Sequence, residues 1–369
     1  MRVVFYYFSF FIYLRECYTI KVWGQNNDLT SMRFGLTQST FGIDPIHIPR
    51  LYPVNKLFID IDKLNGGLIV GDEWGARIVY YAPDNTIAAQ SVVGQINFTF
   101  NVPGPAQNIV SGVNFVKSDS SGGVYVSDTQ NNRVLYFPPE WQTSLGINAT
   151  RVYGQINFDS YVIGISNNQF YYPSGLAVDL QGNLYVADTL LYSTRILFFP
   201  LNSTTATKVF FSDNFTANLP GFLSNDVGGI AVDNSFIYIS DCTANCVYIF
   251  NLSGSLKYTL GNDFLNCPVD VAIDKFGNIY VADRANRILF FEKNSLLIEK
   301  IYTYNFSSIK SIAVDENYLY VADNSRVIAL DITESSSLSL SSIIIIVASV
   351  ISVVTGVGLI IYFRHVRNS

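Results

Sequence analysis

Six times along the 369-residue chain an apolar run ends in a small residue followed by aspartate. The copies are Val70-Gly71-Asp72, Val126-Ser127-Asp128, Val186-Ala187-Asp188, Ile239-Ser240-Asp241, Val281-Ala282-Asp283 and Val321-Ala322-Asp323, so successive aspartates lie 56, 60, 53, 42 and 40 residues apart. Each copy has a short apolar run upstream ("SGLAVD", "GGIAVD", "VDVAID", "KSIAVD") and another downstream ("RIVYY", "RVLYF", "RILFF", "CVYIF", "RVIAL"). A fourth run closes the unit ("SVVG", "RVYG", "KVFF", "KYTLG", "EKIYTY"). β-Branched and aromatic residues in runs this short, broken by Gly-Asn, Asp and Ser, signal strands and tight turns. Four strands per repeat cannot bury both sheet faces alone, so the repeats must pack on one another. The fold class this predicts is all-β, a six-bladed β-propeller.

The two ends of the repeat region test that reading. The sixth unit stops after its third run, Arg326 to Ile332, and passes into "TESSSLSLSS". A spare run, "TIKVWGQ" (Thr19 to Gln25), lies ahead of the first unit and matches "TRVYGQ" (Thr150 to Gln155). The N-terminal strand is therefore expected to complete blade six from outside, which closes the ring and leaves no sheet edge free. The long connections from outer to next inner strand, 26–57, 97–111, 157–173 and 214–226, then share one face with the turns that carry the repeated aspartates. Long loops on a rigid scaffold are where recognition usually sits, so this face over blades one to four is the expected binding surface.

The strings Pro173-x-Gly-Leu-Ala-Val-Asp179, Gly182-Asn-Leu-Tyr-Val-Ala-Asp188 and Arg195-Ile-Leu-x-Phe resemble the NHL repeat, as do the units opening "VVGQINF" and "VYGQINF". The resemblance spans essentially residues 18–332; it is weakest in the first unit, and the fourth lacks the arginine. It implies the propeller fold but not one activity, since the family holds enzymes, RNA binders and adhesion modules. Related six-bladed propellers include a zinc-dependent amidating lyase with several histidines and esterases with calcium on the axis. This chain has two histidines, His47 and His365, too few for the first arrangement or for a Ser-His-Asp triad unless His47 serves. A structural Ca²⁺ in the channel would need no histidine, and no other cofactor is expected.

Residues 343–363 ("IIIIVASVISVVTGVGLIIYF") carry no charge or proline and are followed by Arg364, His365 and Arg367. That is the length and the positive flank of a single membrane-spanning helix. Met1, Arg2 and a twelve-residue apolar stretch read as a signal peptide over 1–17. The expected order is signal peptide (1–17), propeller ectodomain (18–332), Ser-rich linker (333–342), transmembrane helix (343–363) and cytosolic tail (364–369). This places the propeller outside the cell or in a vesicle lumen, type I and single-pass. Candidate glycosylation sites are Asn97, Asn148, Asn202, Asn214, Asn251 and Asn305. A net charge of −6 argues against nucleic acid as partner.

The repeated Asp72, Asp128, Asp188, Asp241, Asp283 and Asp323 read as turn caps, and Arg77, Arg133, Arg195, Arg287 and Arg326 as their partners within a blade. Residues peculiar to one blade are better binding candidates: Glu73, Trp74, Tyr192 and Arg284 lie in the Asp-side turns. Cys242, Cys246 and Cys267 are disulfide candidates; a 242–246 bridge across one turn is the first expectation, with Cys267 able to take either partner. The function expected is binding of a protein or carbohydrate ligand, as an adhesion or receptor-like module. The alternative is a six-bladed hydrolase or lyase with an axial metal.

Overall fold

The computed structural model describes residues 20–23, 56–83, 89–98, 102–191, 193–212, 214–216, 223–324 and 326–333. Strand β1 is Ile20–Trp23. Blade one is β2 (Leu57–Ile61), β3 (Leu68–Asp72), β4 (Arg77–Tyr81) and β5 (Ser91–Val93). Blade two is β6 (Val113–Ser118), β7 (Val124–Asp128), β8 (Arg133–Phe137) and β9 (Arg151–Tyr153). Blade three is β10 (Pro173–Val178), β11 (Leu184–Thr189), β12 (Thr194–Phe199) and β13 (Lys208–Phe210). Blade four is β14 (Val227–Val232), β15 (Phe236–Asp241), β16 (Cys246–Asn251) and β17 (Leu256–Leu260). Blade five is β18 (Pro268–Ile273), β19 (Ile279–Asp283), β20 (Arg287–Phe291) and β21 (Lys300–Thr303). The last is β22 (Ile309–Val314), β23 (Tyr318–Asp323) and β24 (Arg326–Asp331).

Each blade is an antiparallel four-stranded sheet in chain order, except the sixth, whose order is β1-β24-β23-β22. The spare N-terminal strand is its outer edge, pairing Ile20 with Leu330 and Trp23 with Val327. The ring closes as the repeat count required, with β22 packed beside β2.

The core is a set of apolar layers between neighbouring blades. One joins Leu57, Val70 and Val79 of blade one to Tyr320, Ala322 and Val327 of blade six, so the closure is sealed by packing as well as pairing. Others join blades one and two, two and three, three and four, and four and five. Each fully buried Val, Leu, Ile or Phe contributes about 1.5–3 kcal/mol. The wheel occupies Thr19–Ile332. No helix among the described residues is long and apolar enough to cross a membrane. The expected signal peptide, transmembrane segment and tail lie outside the described residues, as does the linker beyond Thr333.

Candidate functional site

Antiparallel order places the second-to-third strand turns and the connections into each blade on one face, and the first-to-second strand turns on the other. The first of these, the clamp face, is held by the repeated aspartates. Asp188 accepts the N–H groups of Tyr171 and Tyr172 (2.8 and 2.9 Å), and Asp323 those of Ser307 and Ser308 (2.8 and 2.6 Å). In five blades the other carboxylate oxygen meets arginine: Asp72–Arg77, Asp128–Arg133, Asp188–Arg195, Asp283–Arg287 and Asp323–Arg326. The guanidinium then reaches loop carbonyls, Pro105, Ala106, Ile109 and Phe158 for Arg133, and Ile165, Ser166, Gln169 and Phe215 for Arg195. These repeated charges are consumed in building the loops.

A backbone contact recurs in all six blades on the same face. The residue that follows each repeated aspartate donates its N–H to the residue ahead of the inner strand: Glu73 to Lys56, Thr129 to Gly112, Thr189 to Tyr172, Cys242 to Asp226, Arg284 to Cys267 and Asn324 to Ser308. These positions are equivalent around the axis. Glu73 and Arg284, singled out from the sequence, therefore stand at the same place on two blades.

The opposite face, the turn face, has its own ring of carboxylates that the sequence reading did not single out, although the runs "AVD" and "AID" contain four of them and "KSD" the fifth. Asp119, Asp179, Asp233, Asp274 and Asp315 each take two N–H groups of the tight turn that follows. Tyrosine hydroxyls donate to three of them, Tyr136 to Asp119, Tyr238 to Asp233 and Tyr320 to Asp315, all at 2.9 Å.

What does not repeat lies on the axis. A cavity of about 620 Å³ opens at the turn face, walled by Ala177, Val178, Ile230, Val271, Ala272 and Ala313 and floored by charge. The strand registers make Asp60 and Lys117 equivalent to alanine in the other four blades, Ala177, Ala231, Ala272 and Ala313. Lys117 Nζ lies 3.4 Å from Asp60 Oδ1, and Asp60 Oδ2 accepts the Ser118 N–H at 2.8 Å. Asp270, from the far side of the wheel, is fully buried and accepts from Ser311 Oγ and the Ile312 N–H (both 2.9 Å) and from the Val271 N–H (2.8 Å). Only glycine fits opposite it: a Cβ on Gly229 would lie 1.7 Å from Asp270 Oδ1. Burial works against the Lys117 ammonium, but Asp60 and Asp270 outweigh it and hold its pKa above the usual lysine value. Burial also raises the Asp270 pKa, opposed by Lys117. Both carboxylates are already occupied by an ammonium, a hydroxyl or N–H groups, and a cationic amine sits between them. That donor set does not fit an axial divalent cation. Among the described residues one grouping brings three metal-type ligand atoms within 4.8 Å, Asp226, Cys242 and Cys267, and two of those are oxidised to a disulfide.

The disulfide is Cys242–Cys267, which corrects the first expectation of a 242–246 bridge. Cys246 takes the arginine slot of blade four, opposite Asp241 in the β15–β16 register, and is buried. Cys242 heads the turn beside the strand that Cys267 opens, so the bridge joins blades four and five. Of the other candidates, Glu73 pairs with Lys56 at 3.3 Å and Trp74 is 40% exposed. Arg284 is exposed on the same face in blade five, and Tyr192 lies outside the described residues. Asn148, Asn202, Asn214 and Asn305 are exposed, and Asn97 and Asn251 partly so. All six lie in loops or at strand ends; Asn97, Asn214 and Asn305 belong to the clamp face and the other three to the turn face. His47 and His365 are outside the described residues.

No family model matches the chain, and no curated protein sequence does. Solved structures do. A catalytically inactive virginiamycin B lyase from Staphylococcus aureus with quinupristin is 13% identical, covering 77% of this chain and 98% of that one with a TM-score of 0.51. A gluconolactonase from Xanthomonas campestris is 11% identical, covering 75% and 86%, with a TM-score of 0.53. At such identities the likeness establishes the propeller fold and nothing finer.

Proposed function

We propose that this protein is a membrane-tethered binding module of the NHL kind, which presents its clamp face to a protein or carbohydrate partner outside the cell or in a vesicle lumen. The observation that supports this reading is where the chain leaves the wheel. Strand β24 ends on the turn face, where the Ile332 N–H donates to the Asn317 carbonyl at 2.9 Å, beside the axial cavity. The ten residues from there to the apolar segment reach at most about 35 Å when fully extended. A wheel tethered in this way stays within that reach of its anchor, and its long loops, with Trp74 and Arg284, lie on the face opposite the one where the chain exits. The experiment is impermeant labelling of intact cells expressing a C-terminally tagged protein, with its mass compared before and after glycosidase. Labelling with a shift of several glycans is expected; no labelling and no shift would end the extracellular reading.

A second reading, a hydrolase or lyase acting in the axial cavity, is favoured by the volume of that cavity and by Lys117 held charged within it. Turnover of lactones or esters by the purified protein, lost in Lys117→Met, would support it over the binding module.

A further inference from the structure

We infer that the clamp-face mouth of the channel, across blades five, six and one, is a binding site for an oxyanion (a carboxylate, sulfate or phosphate group carried by the ligand), held by Arg284, Lys310 and Lys56. The inference rests on the reading above only for which face meets the partner.

The equivalent positions around this mouth are mostly neutral: Thr129, Thr189 and Asn324 in the turn ring, Gly112, Tyr172 and Ser308 ahead of the inner strands. Cations gather on one side. Arg284 holds the turn position of blade five and Lys56 the entry position of blade one. Lys310 comes from blade six between them, at the register irregularity between Ile309 and Ser311. A bulge of this kind re-aims a side chain out of the strand's alternation. Among the described residues, the charges felt at the Lys310 amine are Arg284, Lys56 and Glu73. Glu73 is the single carboxylate of that group and is paired with Lys56.

Neither Arg284 nor Lys310 has an ion pair or a side-chain hydrogen bond among the described residues. That sets them apart from every other axial or clamp-face cation discussed. Arg77, Arg133, Arg195, Arg287 and Arg326 each face an aspartate, and Lys117 lies among Asp60 and Asp270. Lys310 is half-buried. A half-buried ammonium without a counter-ion is unfavourable, and burial, then Arg284 and Lys56, hold its pKa below the usual lysine range. An entering anion offsets both with its opposite charge. The backbone beneath Arg284 is fixed for such a role, since its N–H is bonded to the Cys267 carbonyl at 3.1 Å and Cys267 is tied covalently to Cys242. Asp226 lies beside that disulfide and bounds the cationic side. A guanidinium fork with two ammonium groups matches the oxygens of a carboxylate, sulfate or phosphate. The chain as a whole carries −6, so this is a local arrangement and not one part of a generally basic surface.

The test uses the full chain in detergent micelles. Equilibrium dialysis with labelled sulfate and phosphate, and competition by acetate, at fixed ionic strength, distinguishes the three oxyanions. Saturable binding of at least one is expected, weakened about tenfold or more in Arg284→Gln and in Lys310→Met. Lys310→Met carries a second signature: it should raise thermal stability in the absence of the anion while weakening binding, opposite signs that a merely structural lysine would not give. Equal binding by wild type and both variants, or no saturable binding to any of the three, overturns the inference. So does a Lys310→Met protein that is less stable and binds unchanged. If surface labelling succeeds while dialysis fails, the oxyanion site falls and the binding-module reading stands.

Discussion

Blades three and four solve the same local problem with different chemistry. Each carries a fully buried aspartate near the end of its second strand, Asp188 and Asp241. Asp188 accepts two loop N–H groups and pairs with Arg195, which in turn gathers carbonyls from the loops entering and leaving the blade. Asp241 stands opposite Cys246 instead, yet still accepts from the Ser224 N–H and hydroxyl and from the Ala244 N–H, at 2.9, 2.6 and 3.0 Å. The carboxylate's common task is thus to receive the incoming loop. Arginine is an addition that ties two loops together, and in blade four a disulfide to blade five makes a tie of its own.

The largest effect that would break this comparison is on blade three. Asp188→Ala strands a fully buried guanidinium and should cost about 3–5 kcal/mol in urea unfolding of the wheel. Replacing Cys242 and Cys267 by serine removes a bridge with a sequence separation of 25 and should cost about 3 kcal/mol. Added reductant should lower the melting temperature of the parent and leave that of the double variant unchanged. Asp241→Ala strands only neutral donors, so about 1–3 kcal/mol is expected. A cost equal to that of Asp188→Ala would show that arginine adds nothing to the clamp. The finest probe is chemical. Burial pushes the Cys246 thiol up to about 11 from the ordinary 9.0, so the native thiolate is scarce at pH 8. Alkylation there should run about a hundredfold slower than for an unperturbed thiol and recover only on unfolding, as mass spectrometry of the labelled peptide would report.

The repeats made the wheel legible, and for the same reason they hid its axis. Val-Ala-Asp recurs because every blade needs that carboxylate, so strand order, closure by the N-terminal strand and the role of the aspartates all followed from counting. Asp60, Lys117 and Asp270 occur once each, inside runs that read as apolar strands ("FIDI", "FVKS", "VDVAID"). Their signal was a departure: Asp60 and Lys117 occupy a column that is otherwise alanine, and Asp270 faces a glycine that alone leaves room for it. Lys310 was equally visible as the one charge in "KSIAVD" without a counterpart in "SGLAVD" or "GGIAVD". Spacing could not fix the disulfide, because three cysteines near one turn allow more than one bridge. The repeat frame already put Cys246 at the head of "CVYIF", in the slot of the absent arginine; what it did not show was that Cys242 and Cys267 meet across blades four and five.

The pairing of β1 with β24 also sets an order of events in time. The first strand of the wheel to leave the ribosome has its partner roughly 300 residues later, which at about 5–20 residues per second means a wait of some 15–60 seconds. Through that interval blade one has no neighbour on one side, and Ile20–Trp23 is an unpaired strand beside a growing apolar surface. Both ends of the open ring therefore keep unpaired strands and uncovered apolar faces until residue 331 arrives. A chain stopped short of β24 would have no strand for β1 to join, and its five completed blades would remain an open arc with apolar ends.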